Sequence, residues 1–197
     1  MPRDLPVTYL QKFLVVSLSY VLAHGLTAGL VTPLQSLVLP EITTFASLLY
    51  LPHGVRVLSA WLLGRCAFVP LSVGAFLSEA LFTPADLASA TDPVILVSIA
   101  VGAAAAPAAF EILRLFGHRL YAGRPLRIHW SQLLWVGVLA SVINSVGQSI
   151  VFSESILPEF SMTVVMAYAV GDLTGLVVTT LVLMMMFRWM RLASGRG

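Results

Sequence analysis

The chain has 197 residues, 58% of them apolar and 10% charged, with a mean hydropathy of +0.93 and a formal net charge of +2. This is too apolar for a soluble domain and too short for two membrane domains, so one polytopic membrane unit over residues 1–197 is expected. The basic residues sit at the ends of apolar segments, which argues against nucleic acid as a partner. One cysteine, Cys66, excludes an internal disulfide.

The expected fold class is all-α: an integral membrane helical bundle with about six transmembrane helices near 13–31, 45–63, 66–81, 94–116, 131–152 and 162–187. The first run carries His24, Gly25 and Gly29 and lacks a small-residue cleavage site, so it reads as a retained span rather than a signal peptide. Pro33 and Pro40 bracket the connection that follows. The second run holds Pro52, His53, Gly54 and Arg56, and a broken helix is expected at Pro52–Gly54. Gly64 and Arg65 leave almost no room for a loop, so the short third run, with Pro70, Gly74 and Glu79, is either a full crossing or half of a broken hairpin.

The fourth run contains Gly102 and the alanine-rich stretch to Ala109, whose small side chains allow close approach of a neighbouring backbone. Arg114, Arg119, Arg124 and Arg127 follow, closed by Trp130 as an interface anchor. In the fifth run Asn144 and Gln148 lie one turn apart and share a face. The sixth buries Gly171, Asp172 and Gly175 and ends at Arg188, Trp189 and Arg191.

Lysine and arginine occur at the amino terminus, after runs two and four, and at the carboxyl terminus, whereas the alternate connections carry only acidic charge. The positive-inside rule then predicts a multi-pass protein of the bacterial inner membrane with both termini cytoplasmic. Arg56 is the one basic residue outside this pattern. A guanidinium at that depth costs roughly 3 to 17 kcal/mol depending on the reference, so it should face protein, water or an anion.

Arg56 and Asp172 each lie about ten residues from the outer end of their run, hence at similar depth. Pairing, a shared polar cavity, a purely structural bridge, and no meeting of the two are all open. His53 either has a ligand-facing or proton-sensitive role or satisfies backbone freed by Pro52, and His24 reads best as packing. Asn144 and Gln148 either line a cavity or hydrogen-bond between helices. No zinc-type ligand spacing, cofactor motif, phosphate loop or hydrolase constellation is present, so neither metal, cofactor nor enzymatic activity is expected.

Three segments carry a family resemblance. Leu51-Pro52-His53-Gly54-Val55 with the apolar run through Leu81, then Ile99-Ala100-Val101-Gly102, then Ala169-Val170-Gly171-Asp172-Leu173-Thr174-Gly175 together resemble the first class of membrane-associated sensor (MASE) domains. Those modules are commonly joined to diguanylate cyclases and histidine kinases. Pro52, Gly54, Asp172 and Gly175 match by position; the family's asparagine and glutamate after the Gly102 position align with alanines, and Arg56 stands where the family has a small residue. The family's eight spans and its output domain have no counterpart here. The resemblance implies membrane sensing through a signalling partner protein.

The expected function is therefore sensory or ligand-binding: a cavity lined by His53, Arg56, Asn144, Gln148 and Asp172 takes a small anionic or polar solute, or responds to protonation, with Arg56 as the anion contact and Asp172 holding it. Two rivals stand beside it, a substrate-binding component of a vitamin-type transporter that docks through the alanine face, and an assembly factor of a membrane complex.

Overall fold

In the computed structural model the described residues are 8–43, 47–83, 89–123, 130–152 and 161–194. Arg124, Arg127, Glu154 and Glu159 lie outside them. Among the described residues the secondary structure is entirely helical: α1 Tyr9–Leu26, α2 Thr32–Ser36, α3 Pro40–Thr43, α4 Leu51–Leu63, α5 Phe68–Phe82, α6 Pro93–Leu115, α7 Trp130–Val151 and α8 Ser161–Ser194. A π-helical turn, Thr27–Val31, joins α1 to α2, and a 3-10 turn, Gly64–Ala67, joins α4 to α5.

Five helical stretches are long and apolar enough to cross a bilayer: Tyr9–Ser36, Leu51–Phe82, Pro93–Leu115, Trp130–Val151 and Val165–Leu192. The six apolar runs of the sequence map onto these five because the second stretch contains both α4 and α5. Gly64, at φ 62, stops α4 in a conformation that side-chain-bearing residues rarely adopt, and the chain reverses there. The reversal is visible in what each helix touches. Along α1, Ser17 meets Pro70, Tyr20 meets Gly74 and Gly25 meets Phe82, so α5 runs parallel to α1. Tyr20 meets Arg56 and Thr27 meets Leu51, so α4 runs against it.

With 13 and 15 residues, α4 and α5 are about 20 and 22 Å long, each shorter than a hydrocarbon core of about 30 Å.

The expected break at Pro52–Gly54 falls one turn earlier. Residues 47–50 are not helical, α4 starts at Leu51, and it continues unbroken through Gly54. Pro52 sits in the first turn, where its missing N–H has no partner to lose and its fixed φ suits the helix. The extended segment before it stays satisfied through α8. Tyr50 N donates to Gly171 O at 2.9 Å, Thr174 Oγ1 donates to Leu48 O, and Thr179 Oγ1 donates to Leu51 O at 3.2 Å. A Cβ at Gly171 would strike Ser47 O, and one at Gly175 would strike Tyr50 O. These two glycines, four residues apart, form the groove that admits a non-helical backbone to the interior.

The remaining directions follow from contacts. Ser98 meets Gln148 and Val101 meets Gly147, so α6 and α7 are antiparallel; Gly137 meets Leu176 and Asn144 meets Asp172, so α7 and α8 are too. Arg56 lies against Gly102 and Arg65 against Glu111, so α4 and α6 are parallel.

Small residues make the centre compact. Ala103, Ala105, Ala106 and Ala109 of α6 are at most 1% exposed, whereas Leu14, Leu18, Leu22 and Leu26 of α1 form an outward stripe at i,i+4 spacing, each about half exposed or more. The alanine face expected to dock on a transport partner is thus packed inside the bundle. Large apolar side chains outside and small ones within suit a lipid environment, where close backbone approach replaces the hydrophobic drive between helices.

Candidate functional site

Arg56 stands midway along α4, 5% exposed. The space for its head group is made by Gly102, where a Cβ would lie 2.5 Å from Nη2. Nη2 donates to Tyr20 Oη at 2.7 Å and Tyr50 Oη at 3.4 Å, and Nη1 donates to Asn144 Oδ1 at 3.4 Å. The guanidinium carbon lies 5.5 Å from the Tyr20 ring centre and 5.3 Å from that of Tyr50, within cation–π range. Its Nε is buried and unpartnered, and among the described residues no carboxylate is within ion-pair distance.

Asp172 is 1% exposed and does not pair with Arg56. Its Oδ2 accepts from Asn144 Nδ2 at 3.0 Å and lies 3.3 Å from His53 Nδ1. Asn144 thus bridges the two charges that the sequence placed at one depth. Gln148, one turn along α7, donates from Nε2 to Ser98 O at 3.1 Å and to Asn144 Oδ1 at 3.5 Å, while its Oε1 accepts from Ser98 Oγ at 2.8 Å.

These groups floor a cavity of about 310 Å³ that extends from Arg56 toward the end of the bundle holding Thr27, Thr32, Ile95 and Phe152. Arg56, Asn144, Gln148 and Asp172 line it. His53 does not line it. The ring is fully buried behind Asp172, with Nε2 3.3 Å from Gly137 O, because Gly137 and Gly54 let α7 and α8 close over that face of α4. Gly54 is packed against Thr179, so Gly54, Gly102 and Gly175 all sit at close crossings, while Pro52 lies in the first turn of α4.

Several wall residues were not singled out from the sequence: Tyr20, Tyr50, Thr27, Ser98 and Tyr168. Tyr20 offered a signal, since it lies well inside an apolar run rather than at an interface, and a buried phenol needs a partner. His24 both packs, stacked on Phe82 with ring centres 5.9 Å apart, and lines the cavity. The π turn after it lets Thr27 Oγ1 donate to Ala23 O at 3.0 Å while accepting from Leu51 N at 3.3 Å, which ties α1 to the start of α4 beside the cavity. Glu79, half-buried, contributes the outer carboxylate of the wall and accepts from Thr83 Oγ1 at 2.7 Å.

At the far end of α4 a second cluster is closed on itself. Glu111 accepts from Arg65, from Arg114 at 3.0 Å and from Tyr121 Oη at 2.6 Å, fastening the α4–α5 turn to the end of α6. Burial and the Glu111 carboxylate hold the Tyr121 phenol above its ordinary range.

Among the described residues no group of three or more histidine, cysteine, aspartate or glutamate side chains is placed to hold a metal. No protein-family model, curated protein or solved structure matches the chain.

Proposed function

We propose that this chain is a membrane sensory unit that binds a small anionic solute at Arg56 and passes its occupancy to a partner protein. The observation that carries this reading is the buried guanidinium at the cavity floor, with a free Nε and, among the described residues, no carboxylate paired to it. A desolvated cation without a counter-ion is costly, and an anion entering the cavity would remove that cost. At about 310 Å³ the cavity lies at the small end of the roughly 300–1,000 Å³ typical of ligand pockets, and its wall is a mixture of aromatic rings and a few polar groups. A small carboxylate suits both the fork of the guanidinium and the available volume.

Six crossings of the bacterial inner membrane, both termini cytoplasmic, accompany this reading. It is supported by the alternating helix directions and by the gathering of Arg65, Arg114, Arg188 and Arg191 at one end of the bundle. The cavity then faces the outside. α4 carries Arg56 at its centre and the Arg65 turn at its cytoplasmic end, so a shift of α4 on occupancy would reach a partner through that turn. Resemblance to MASE sensors supports signalling as the output. Transport by docking on the alanine face is the weaker reading, because those alanines are engaged within the bundle.

Purification in nanodiscs from native membrane, with mass spectrometry of released small molecules and of co-purifying proteins, tests the proposal. An organic anion retained by wild type and absent from Arg56→Gln, together with a cyclase, kinase or receptor, is the expected result. A neutral or cationic ligand, or one retained equally by Arg56→Gln, contradicts it.

A further inference from the structure

His53 and Asp172 take no direct part in the cavity contact assigned to Arg56, yet they are the most buried titratable pair in the bundle, at 0% and 1% exposure. Nε2 of His53 lies 3.3 Å from Gly137 O, an atom that can only accept, so a hydrogen on Nε2 satisfies that contact. Nδ1 is then left facing Asp172 Oδ2 at 3.3 Å. That oxygen already accepts from Asn144 and cannot donate unless it is protonated. In a neutral ring with its hydrogen on Nε2 the buried Nδ1 confronts the carboxylate lone pair, and with the hydrogen on Nδ1 it is Nε2 that confronts the Gly137 carbonyl.

The conflict disappears when the pair holds one further proton, either on Nδ1 beside an ionised carboxylate or on Oδ2 beside a neutral ring. We infer that His53 and Asp172 form a buried proton-binding site that holds one proton between Nδ1 and Oδ2, separate from the anion contact at Arg56 but joined to it through Asn144. Among the described residues no other donor competes for that position. The charged and titratable groups around the pair are Arg56 and Tyr50 beside α4, Tyr168 on α8, Tyr20 and His24 on α1, and Glu79 on α5; the facing stretches of α6 and α7 contribute none.

Counting charge gives the proton a consequence. With the proton in place the pair is neutral overall, whichever atom carries it, and the Arg56 charge is uncompensated. Loss of the proton leaves one negative charge a single side chain away from the guanidinium, and the field that draws an anion is largely cancelled. Proton and anion should therefore bind together, each raising the other's affinity by the same factor. This consequence rests on the anion-binding reading, whereas the proton site itself does not.

The test is solid-state NMR of full-length protein in nanodiscs, with ¹⁵N-labelled histidine rings and ¹³C-labelled aspartate carboxyls. The through-space contact between the two labels identifies the pair in wild type without any substitution. The expected result near neutral pH is either a doubly protonated ring beside an ionised carboxylate or a singly protonated ring beside a protonated carboxyl. Raising the pH should produce one transition shared by both nuclei, and Asp172→Asn should abolish it. A neutral ring protonated only on Nε2 beside an ionised Asp172 at neutral pH overturns the site, as do independent transitions of the two nuclei. Adding acetate separates the two proposals: a shared transition that acetate leaves unmoved supports the proton site and counts against anion binding at Arg56.

Discussion

Asn144 stands between Arg56 and Asp172, accepting from the guanidinium at 3.4 Å through Oδ1 and donating to the carboxylate at 3.0 Å through Nδ2. A direct ion pair would have neutralised both charges. Interposing an amide keeps the guanidinium available on the cavity side while both charges retain a hydrogen-bonded neighbour.

Replacing Asn144 by Leu should therefore cost more than a methyl-scale packing change. It leaves Arg56 Nη1 without its acceptor and takes one donor from Asp172 Oδ2, and a buried polar group left unsatisfied costs about 1–3 kcal/mol. Denaturation of the variant in detergent should show that loss. Asn144→Asp has a different signature: it loses the same donor to Asp172, but the new carboxylate reaches Arg56 directly, so solute binding falls further than in Asn144→Leu. Calorimetric unfolding and binding titrations on the two variants check the contrast.

Two glycines should respond in opposite ways to the same substitution. At Gly102 a Cβ meets the tip of the flexible Arg56 side chain, so Gly102→Ala should fold and shift the guanidinium, weakening anion binding several-fold. At Gly175 a Cβ meets the Tyr50 carbonyl in the segment before α4, which cannot move without breaking its bonds to α8. Gly175→Ala should lose at least about 1–3 kcal/mol through overpacking. Expression level and thermal stability of the pair decide the matter, and equal tolerance at both positions would refute the crossing geometry.

Glu111→Gln should have a small effect on stability, within about 1 kcal/mol, because Arg65 is 70% exposed and its ion pair is screened by solvent. Its effect on Tyr121 should be plain. With the carboxylate gone, the phenol loses one cause of its elevation and titrates closer to its ordinary value, while the part due to burial remains. Tyrosine absorbance followed against pH, wild type against variant, measures the difference.

Cys66 is exposed in the turn between α4 and α5 and is the sole cysteine of the chain. If that turn marks a reversal at the cytoplasmic face, a membrane-impermeant maleimide should label inverted membrane vesicles and leave intact spheroplasts unlabelled. Labelling of spheroplasts alone would invert the proposed orientation.

The apolar runs were legible because hydropathy over some twenty residues tracks membrane crossing directly. The α4–α5 reversal was only half legible. Gly64 and Arg65 left no visible loop, and the positive φ that lets glycine turn the chain there leaves no trace in hydropathy. Arg56, Asn144, Gln148 and Asp172 stood out because polar groups are expensive inside apolar runs, and all four meet at the cavity. His53 met the same criterion and lies behind Asp172 instead, because α7 and α8 close over it through Gly137 and Gly54, an approach that leaves no trace in hydropathy. Tyr20, Tyr50 and Tyr168 were passed over because phenols are cheap at interfaces; only their depth gives them away.

The most direct measurement is a binding titration of wild type and Arg56→Gln in nanodiscs with matched pairs of carboxylate and amide, acetate with acetamide and benzoate with benzamide. A carboxylate should bind wild type and raise its melting temperature, its amide should not, and Arg56→Gln should lose about ten- to a hundred-fold in affinity, as expected for a charged hydrogen bond of about 1.5–3 kcal/mol. Equal binding of acid and amide, or an unchanged affinity in Arg56→Gln, would remove the guanidinium from the site and the anion from the function.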